Sequence, residues 1–253
     1  MIENKSWRDM RAVDPGSEPE VTFFVPCLNE EAHVVPTLQT IERAAARAGC
    51  TYEIIVWDDH STDATPRLVG EFAAAHPGVS LRLVRNERKR GLARNYVEGA
   101  FAGRGKWYKI VNGDNAETVE DLVAILSRKG EADIVLPYFH EDARVAGRRL
   151  LSALFTALVN ALSGFHLRYY NGAVLHLRYN VMRWHSDTYG FAYQAEILTR
   201  LLGEGATYLE VPIRHVEAGG RVSKALTVEN VLSVGHSLLQ ILLRRLRRFL
   251  FKV

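Results

Sequence analysis

The chain has 253 residues, of which 47% are hydrophobic and 24% are charged, and its formal net charge is +3. This length suits one large α/β domain with a short appendage, and the composition supports a packed core and excludes global disorder. The two cysteines, Cys27 and Cys50, lack metal-ligand spacing and are too few for a disulfide framework, so we expect a reducing, cytosolic setting. No run of about 20 apolar residues occurs, so the sequence predicts no membrane-spanning helix.

A polar leader is predicted over residues 1–20. Strands and helices are predicted to alternate after it. The predicted strands in this part span residues 21–25, 53–57, 81–84, 107–111 and 133–136. The helices predicted between them span residues 30–48, 63–75, 92–102 and 119–128. Strands that alternate with helices of ten or more residues form right-handed βαβ units. The sequence therefore predicts an α/β fold with a mostly parallel central sheet flanked by helices.

The pattern changes after residue 145. The elements predicted there are a helix over 150–162, a strand over 174–177, a helix over 192–202, a strand over 207–211 and a helix over 228–249. The last helix alternates leucines with arginines, as basic amphipathic helices at membrane interfaces do. The alternative is a core-packing helix with a solvated, charged end. The helix over 150–162 is open to the same two interpretations.

Three polar clusters stand where predicted strands end. Pro-Cys-Leu-Asn-Glu (26–30) follows the first strand, Asp-Asp-His-Ser-Thr-Asp (58–63) the second, and Asn-Gly-Asp (112–114) the fourth. Ligands of open α/β sheets bind beyond the carboxyl ends of the strands. Acidic side chains there can accept hydrogen bonds from a ribose or a base, or hold a divalent cation against phosphates. These clusters are therefore the candidate site.

Two other interpretations of the clusters compete with a binding site. The cluster over 58–63 alone also fits a helix N-cap, with Asp63 as the capping residue. Three clusters at the ends of three strands favour a binding site over three separate caps. A Rossmann dinucleotide site requires Gly-x-Gly-x-x-Gly after the first strand, and residues 26–30 do not contain it.

The chain resembles the family 2 glycosyltransferases over roughly residues 20–226. The motifs that carry this resemblance are the three clusters together with Arg-Gly-Leu-Ala (90–93), Tyr-Gln-Ala-Glu (193–196), Glu-Val-Pro-Ile (210–213) and Ser-Lys (223–224). Within the family, the motifs are most similar to those of dolichyl- and polyprenyl-phosphate sugar transferases, such as dolichol-phosphate mannose synthase. The resemblance implies a GT-A-type fold, with a glycosyltransferase domain over 21–226 and a basic amphipathic helix over 227–253.

The resemblance also implies roles for individual residues. The donor, a GDP- or UDP-linked sugar, would contact Pro26, Leu28, Glu30, Trp57, Asp58, Asp59, Gly113, Arg221 and Lys224. Asn112 and Asp114 would hold a divalent cation, Mg²⁺ or Mn²⁺, against the diphosphate, and Asp114 is the predicted catalytic residue. Such a cation offsets the charge that builds on the leaving diphosphate.

The sequence departs from the family pattern at three positions. Asn112 replaces the first aspartate of the family's Asp-x-Asp, so the cation site has one charge fewer, and Glu117 is the candidate to compensate. The arginine expected after the fifth strand is replaced by Pro-Tyr-Phe (137–139). A second expected arginine is Ala218, with Arg221 nearby as a possible substitute.

The acceptor is expected to be a polyprenyl-phosphate lipid. A phosphate is already anionic, so transfer to it needs positioning but no general base, and an inverting single displacement is expected. A hydroxyl acceptor would need a carboxylate base, with Asp187 and Glu196 as candidates. A third hypothesis is a catalytically silent nucleotide-sugar-binding protein, motivated by Asn112 and the missing arginines.

A lipid acceptor implies a peripheral protein on the cytoplasmic face of a membrane. The basic helix over 228–249 would contribute on the order of 1 kcal/mol per cation near an anionic surface. Nucleic acid is not an expected partner, because the basic run has no base-reading context.

Overall fold

The computed structural model describes residues 18–142, 145–184, 190, 192–215 and 228–251. The strands are β1 (Val21–Cys27), β2 (Tyr52–Asp58), β3 (Leu81–Arg85), β4 (Trp107–Ile110), β5 (Ile134–Asp142), β6 (Leu175–Leu177) and β7 (Tyr208–His215). The helices are α1 (Val34–Ala48), α2 (Thr65–Ala75), α3 (Leu92–Ala102), α4 (Val119–Leu126), α5 (Ala146–Ser163), α6 (Arg178–Met182), α7 (Tyr193–Gly203) and α8 (Val228–Phe251).

The seven strands form one sheet in the order β3-β2-β1-β4-β6-β5-β7. Strands β1 to β4 are mutually parallel, β5 is parallel to β7, and β6 is antiparallel to both of its neighbours. Six strands therefore point the same way, and the predicted α/β class with a mostly parallel sheet is confirmed. Because β1 lies between β2 and β4, the three strands that end in polar clusters are neighbours.

Some boundaries differ from the predictions. Helix α1 begins at Val34 rather than residue 30, and α2 begins at Thr65 rather than residue 63, because the residues before them take part in hydrogen bonds between loops. Strand β5 continues to Asp142, past the predicted end at residue 136. Beyond Val135 it pairs only with β7, so Pro137, which has no N–H group, is tolerated there. Helix α6 was not predicted.

Two apolar layers cover the two faces of the sheet. On one face, Phe23 of β1 packs with Leu38 of α1 and Leu122 of α4. On the other, Phe24 packs edge-on against Tyr96 of α3, with ring centroids 5.8 Å apart. Successive strand residues point to opposite faces, so a strand covered on both sides needs apolar residues throughout. This accounts for the continuous apolar runs in the sequence.

Helix α8 lies on the outer side of the second layer, where it packs against α5 and α7. Ser237 and Ile241 are its buried contacts. Within the described ranges, no helix combines the length and apolar character needed to cross a membrane. Most of the predicted leader lies outside the described residues, as does most of the predicted domain boundary near residue 226. That division of the chain stays a prediction.

Candidate active site

The loops after β1 and β2 are joined by hydrogen bonds between side chains and backbone. The Asn29 N–H donates to Ser61 Oγ at 2.9 Å, and the Thr62 N–H donates to Asn29 Oδ1 at 2.9 Å. The Glu31 N–H donates to Asp63 Oδ2 at 3.1 Å. Each loop therefore holds the other in place, and the polar ends of β1 and β2 form one preorganised edge.

Asp63 supports the start of α2, but the N-cap residue of that helix is Ala64, so the prediction of Asp63 as the capping residue is wrong. Its Oδ1 accepts from the Thr65 N–H in the first turn of α2 at 2.9 Å, while Oδ2 binds Glu31. Burial raises the pKa of Asp63, but the hydrogen bonds it accepts outweigh this and lower it overall. Asp63 thus supports the helix start and the neighbouring loop together.

The loop after β4 lies directly against the end of β1. The Gly113 N–H donates to the Pro26 carbonyl at 3.2 Å. A Cβ atom at Gly113 would lie 2.7 Å from Cys27 Sγ and 3.0 Å from the Pro26 oxygen, which is too close for any side chain. Glycine is therefore required for this approach, and the same Cβ atom would lie 3.4 Å from Cγ of the half-buried Glu30.

Each of the three loops contains one non-glycine residue in the left-handed region of backbone space. These residues are Asn29 (φ 59°), His60 (φ 72°) and Asn115 (φ 55°). Asparagine and histidine enter this region more readily than most residues, because their short polar groups can bond locally. The repeated conformation turns each loop sharply at the edge of the sheet.

Asp58 and Asp59 are both buried, but they bind different parts of the protein. Asp58 accepts from the Ser61 N–H at 3.1 Å and forms an ion pair with Arg85 at 3.2 Å. Asp59 accepts from the Arg90 N–H at 2.8 Å and from the Gly91 N–H at 3.0 Å. Both carboxylates are therefore fixed in position by the protein itself.

The environment of Asp59 favours its charged form. Burial raises the pKa of Asp59. Hydrogen bonds lower it by more than burial raises it, so the net shift is downward; the donors are the Arg90 N–H, Asn95, Asn86 and the Gly91 N–H. The Asn86 amide donates to Asp59 Oδ1 at 2.8 Å. The donors around Asp59 therefore keep its carboxylate charged and fixed at the edge of the sheet.

Trp57 lies in the core. It is 4% exposed, and its indole N–H donates to Asn86 Oδ1 at 3.2 Å. Its ring is 6.1 Å from that of Phe24. This position favours a packing role over the nucleotide contact that the resemblance implies for Trp57.

Glu117 is not placed to compensate for Asn112. Its carboxylate is 2.7 Å from Lys109 Nζ, and Lys109 is fully buried and also donates to the Ile110 and Ala173 carbonyls. Burial raises the pKa of Glu117 and lowers that of Lys109, and their ion pair opposes both shifts. The pair serves to tie the loop after β4 to the chain entering β6.

Asn112 and Asp114 provide one exposed amide and one half-buried carboxylate. Magnesium in nucleotide sites is held by one or two carboxylates, with water and substrate phosphates supplying the other ligands. In the part of the chain that the structure describes, no group of three His, Cys, Asp or Glu residues could hold a metal. These residues therefore fit a cation shared with a diphosphate rather than a site closed by protein ligands.

The candidate base Glu196 is committed to another contact. It is 2% exposed on α7, where it forms an ion pair with Arg244 of α8 and lies 3.4 Å from Ser237 Oγ. The proposal of Glu196 as a general base is therefore not supported by its surroundings. The other candidate base, Asp187, and the predicted donor contacts Arg221 and Lys224 lie outside the described residues.

Asn86 is a residue of the site that the sequence motifs did not indicate. Its amide bridges Trp57, Asp59 and Asn95, the last at 2.9 Å. Asn86 follows β3 directly, so the rule applied to the other strand ends would have found it. The Arg90–Gly91 pair was noted only as part of a motif, and its N–H groups prove to be the main donors to Asp59.

A protein-family model described as Glycosyl transferase family 2 matches residues 22–185. This range includes every described loop of the site. The chain belongs to glycosyl transferase family 2. This is the family that the motifs indicated.

Three named relatives are similar to parts of this family 2 chain. The succinoglycan biosynthesis protein ExoO of Rhizobium meliloti is 36% identical, over 45% of this chain and 31% of its own. A dolichyl-phosphate beta-glucosyltransferase of Trichomonas vaginalis is 32% identical, over 53% and 39%. The dodecaprenyl-phosphate galacturonate synthase of Rhizobium johnstonii is 25% identical, over 67% and 51%. The chain spans at most about half the length of these relatives.

The fold is that of GT-A glycosyltransferases. A mannosyltransferase from Pyrobaculum calidifontis, solved with GDP-Man and Mn²⁺, superposes with a TM-score of 0.63 at 24% identity. The match covers 93% of this chain and 66% of the mannosyltransferase. At this identity the likeness shows the shared fold alone.

Proposed function

We propose that this glycosyltransferase moves a sugar from a GDP- or UDP-linked donor to a polyprenyl-phosphate lipid, with inversion at the anomeric carbon. The observation that carries the proposal is that the Asn112–Asp114 loop and the loop bearing the fixed carboxylate of Asp59 flank the end of β1, to which the Gly113 and Asp59 N–H groups both donate. That arrangement gives a diphosphate and its nucleoside adjacent contacts on one edge. Two of the relatives above are named for polyprenyl-type phosphate acceptors.

The nucleoside would lie along the ends of β1 and β2. Pro26, Leu28 and Glu30 would contact it from one loop, and the charged carboxylate of Asp59 would accept from a ribose hydroxyl or a base N–H. Asp58 would hold Asp59 and its loop in register through Ser61. Because these groups are already fixed by the protein, binding the nucleoside would cost little reordering.

The diphosphate would lie over Gly113. Asp114 and Asn112 would hold a divalent cation, which offsets the negative charge of the leaving diphosphate. Gly113 leaves the backbone close to β1, so no side chain fills this position. Arg221 and Lys224 are proposed to contact the donor phosphates as well.

The surroundings of Glu196 support a phosphate acceptor over a hydroxyl. A hydroxyl acceptor needs a base to remove its proton, whereas a phosphate oxygen is already a nucleophile near neutral pH. The ion pair with Arg244 occupies the Glu196 carboxylate, so that candidate base is engaged elsewhere. A lipid acceptor also requires the enzyme to act at a membrane surface, so we propose a peripheral location on the cytoplasmic face of a membrane.

The test is a transfer assay on the full chain with Mn²⁺, using GDP-mannose, UDP-glucose and UDP-galacturonate as donors. The acceptors are a short-chain polyprenyl phosphate and the matching polyprenol, which differs only in lacking the phosphate. We expect one donor class to give a glycosyl phosphate of inverted configuration, with no product from polyprenol. Equal transfer to polyprenol would favour the hydroxyl hypothesis. Nucleotide binding without any transfer would favour a silent binding protein.

A further inference from the structure

The end of β3 is bonded to both of the aspartates at the end of β2. Arg85, the last residue of β3, forms the ion pair with Asp58, and Asn86 comes directly after it. The Asn86 N–H donates to the Asp58 carbonyl at 2.9 Å, and its side-chain amide donates to Asp59 Oδ1 at 2.8 Å. Strand β3 can therefore act on the candidate site through these two carboxylates, without touching a ligand itself.

The side-chain amide of Asn86 makes three hydrogen bonds in the interior of the protein. In addition to its bond to Asp59, Nδ2 donates to Asn95 Oδ1 at 2.9 Å, and Oδ1 accepts from the Trp57 indole N–H at 3.2 Å. Asn86, Asn95 and Trp57 are each at most 6% exposed, so water has little access to compete for these bonds. An amide nitrogen has two hydrogens, and both are therefore engaged with residues around the site.

Trp57 determines the orientation of this amide. An indole N–H can only donate, so it requires the oxygen of the Asn86 amide on its side and leaves the nitrogen for Asp59. The reversed orientation would place the amide oxygen against the Asp59 carboxylate and leave the buried indole N–H without an acceptor. Buried donors are rarely left in that state. The apolar core, which holds the Trp57 ring 6.1 Å from that of Phe24, thereby fixes the polarity of the group that reaches Asp59.

The side-chain groups that bind Asp59 are neutral. Asn86 and Asn95 both donate to its carboxylate through their amides. The nearby guanidinium of Arg90 is bound instead to both carboxylate oxygens of Glu98. Among the described residues, no cation forms an ion pair with Asp59, so its carboxylate is held in place while its negative charge is not cancelled. Such a group can still attract an N–H or hydroxyl donor of a ligand.

We propose that the Asn86 amide, oriented by Trp57, is a positioning group that holds the Asp59 carboxylate in the direction from which it binds the nucleoside of the donor. This inference deepens the proposed function and rests on it, because the contact between Asp59 and the nucleoside is itself a proposal. Binding would be tight only while the amide presents its nitrogen to Asp59, so a buried tryptophan that never meets the nucleotide would influence donor affinity.

The experiment measures binding of GDP, UDP and inorganic pyrophosphate to the full chain with Mn²⁺ by titration calorimetry. Pyrophosphate has no nucleoside, so it reports on the Asn112–Asp114 loop alone. Asn86→Asp keeps the shape of the side chain and the oxygen that faces Trp57, but it replaces the donor to Asp59 by a second carboxylate. This variant should bind the preferred nucleotide at least about tenfold more weakly, with pyrophosphate binding unchanged. A purely structural role would weaken both ligands together.

A second variant, Trp57→Phe, removes the N–H that orients the amide, and it should weaken nucleotide binding about threefold. Two controls match these variants. Asn180→Asp changes an asparagine of α6 that is also 6% exposed and whose Oδ1 accepts from Arg183 at 3.0 Å. Trp107→Phe changes a tryptophan that is 6% exposed at the start of β4, at the opposite end of that strand from the site. Both controls should bind the nucleotide as the wild type does.

The pKa of Asp59 in the ligand-free chain, followed by NMR of its carboxyl carbon, is a readout that needs no ligand. Asn86→Asp should raise this pKa, because a second carboxylate disfavours the charged form of the first. Three outcomes would overturn the proposal: an unchanged pKa of Asp59 in this variant, nucleotide binding equal to that of the wild type, or equal weakening of nucleotide and pyrophosphate. A wild-type chain that binds neither nucleotide, with the rise in pKa present, counts against the proposed function and supports the positioning of Asp59 by Asn86.

Discussion

The loops after β1, β2 and β4 and the helix pair α5–α8 differ in how their side chains are partnered. In the loops, carboxylates and amides bind neighbouring N–H groups, as Asp59 does with Arg90 and Gly91. On the helix pair, leucines such as Leu154 and Leu243 remain in solvent. The polar groups of the loops are therefore held in position by the protein itself, whereas the leucines of the helix pair face solvent. We therefore expect donor binding to depend on the fixed geometry of these loops, and access of the acceptor to depend on what lies against the exposed leucines.

The largest expected effect is at the cation site of the loop region. Asp114→Ala should abolish transfer, with a loss on the order of 1,000-fold, because the leaving diphosphate loses its charge stabilisation. The measurement is turnover with saturating donor and Mn²⁺. Appreciable turnover in this variant would contradict the assignment of the cation site.

The matched variant at this site is Asn112→Asp, which restores a second carboxylate. Metal affinity rises with the number of charged ligands, so the cation concentration for half-maximal activity should fall about tenfold. An unchanged cation dependence would show that Asn112 does not contact the metal.

A second substitution tests whether the helix pair is held by a buried charge. In Glu196→Gln, Arg244 loses its ionic partner in a site where Glu196 is only 2% exposed. The free energy of unfolding should fall by about 3 kcal/mol, since breaking a buried pair leaves a charge uncompensated. The control, Glu204→Gln, breaks surface pairs with Arg183 and Arg200, each of which should cost about 0–1 kcal/mol. Equal losses of unfolding free energy in the two variants, measured by urea denaturation, would contradict this prediction.

A third substitution probes the close approach of two loops. Gly113→Ala places a Cβ atom 2.7 Å from Cys27 Sγ, so the loop must shift, at a cost of about 1–3 kcal/mol. We also expect a higher KM for the donor. Gly70→Ala is the control, because its Cβ meets nothing within 4 Å in α2 and should stabilise the helix by about 0.5–1 kcal/mol. A Gly113→Ala variant with normal stability and KM would contradict this role.

The last expected effect, on the pH dependence of stability, concerns β6, whose His176 is fully buried. Burial lowers the pKa of His176 to about 3, more than its contact with Gln194 raises it. Between pH 6.5 and about 3, the unfolded chain therefore binds a proton at this residue that the folded chain does not. The free energy of unfolding should fall with decreasing pH by about 1.4 kcal/mol per unit from this group.

The measurement compares the wild type with His176→Leu in urea denaturation at pH 6 and pH 4.5. Carboxylates common to both proteins cancel in the comparison, so the difference isolates residue 176. The wild type should lose more stability than the variant on acidification. Parallel pH dependences would contradict the depressed pKa.

Much of the fold was predictable because the chain alternates apolar runs with amphipathic helices. The strand ends bearing Asp59 and Asp114 were found from one rule about parallel sheets. Contacts between distant segments were not predictable in this way. The pairing of Glu196 with Arg244 joins residues 48 positions apart, and local periodicity contains no information about such a pair. Strand β6 lies between β4 and β5 in the sheet, and this position likewise does not follow from the order of the strands along the sequence.

The antiparallel strand β6 also has a consequence for synthesis on the ribosome. One edge of β4 stays open until β6 emerges about 65 residues later, which takes roughly 3–13 s at typical translation rates. During that interval Lys109 lacks the Ala173 carbonyl, one of its three acceptors. The nascent chain therefore presents an unpaired strand edge next to an incompletely bonded lysine, a state that favours aggregation. Slowing translation between residues 110 and 175 should lower the soluble yield of the full chain.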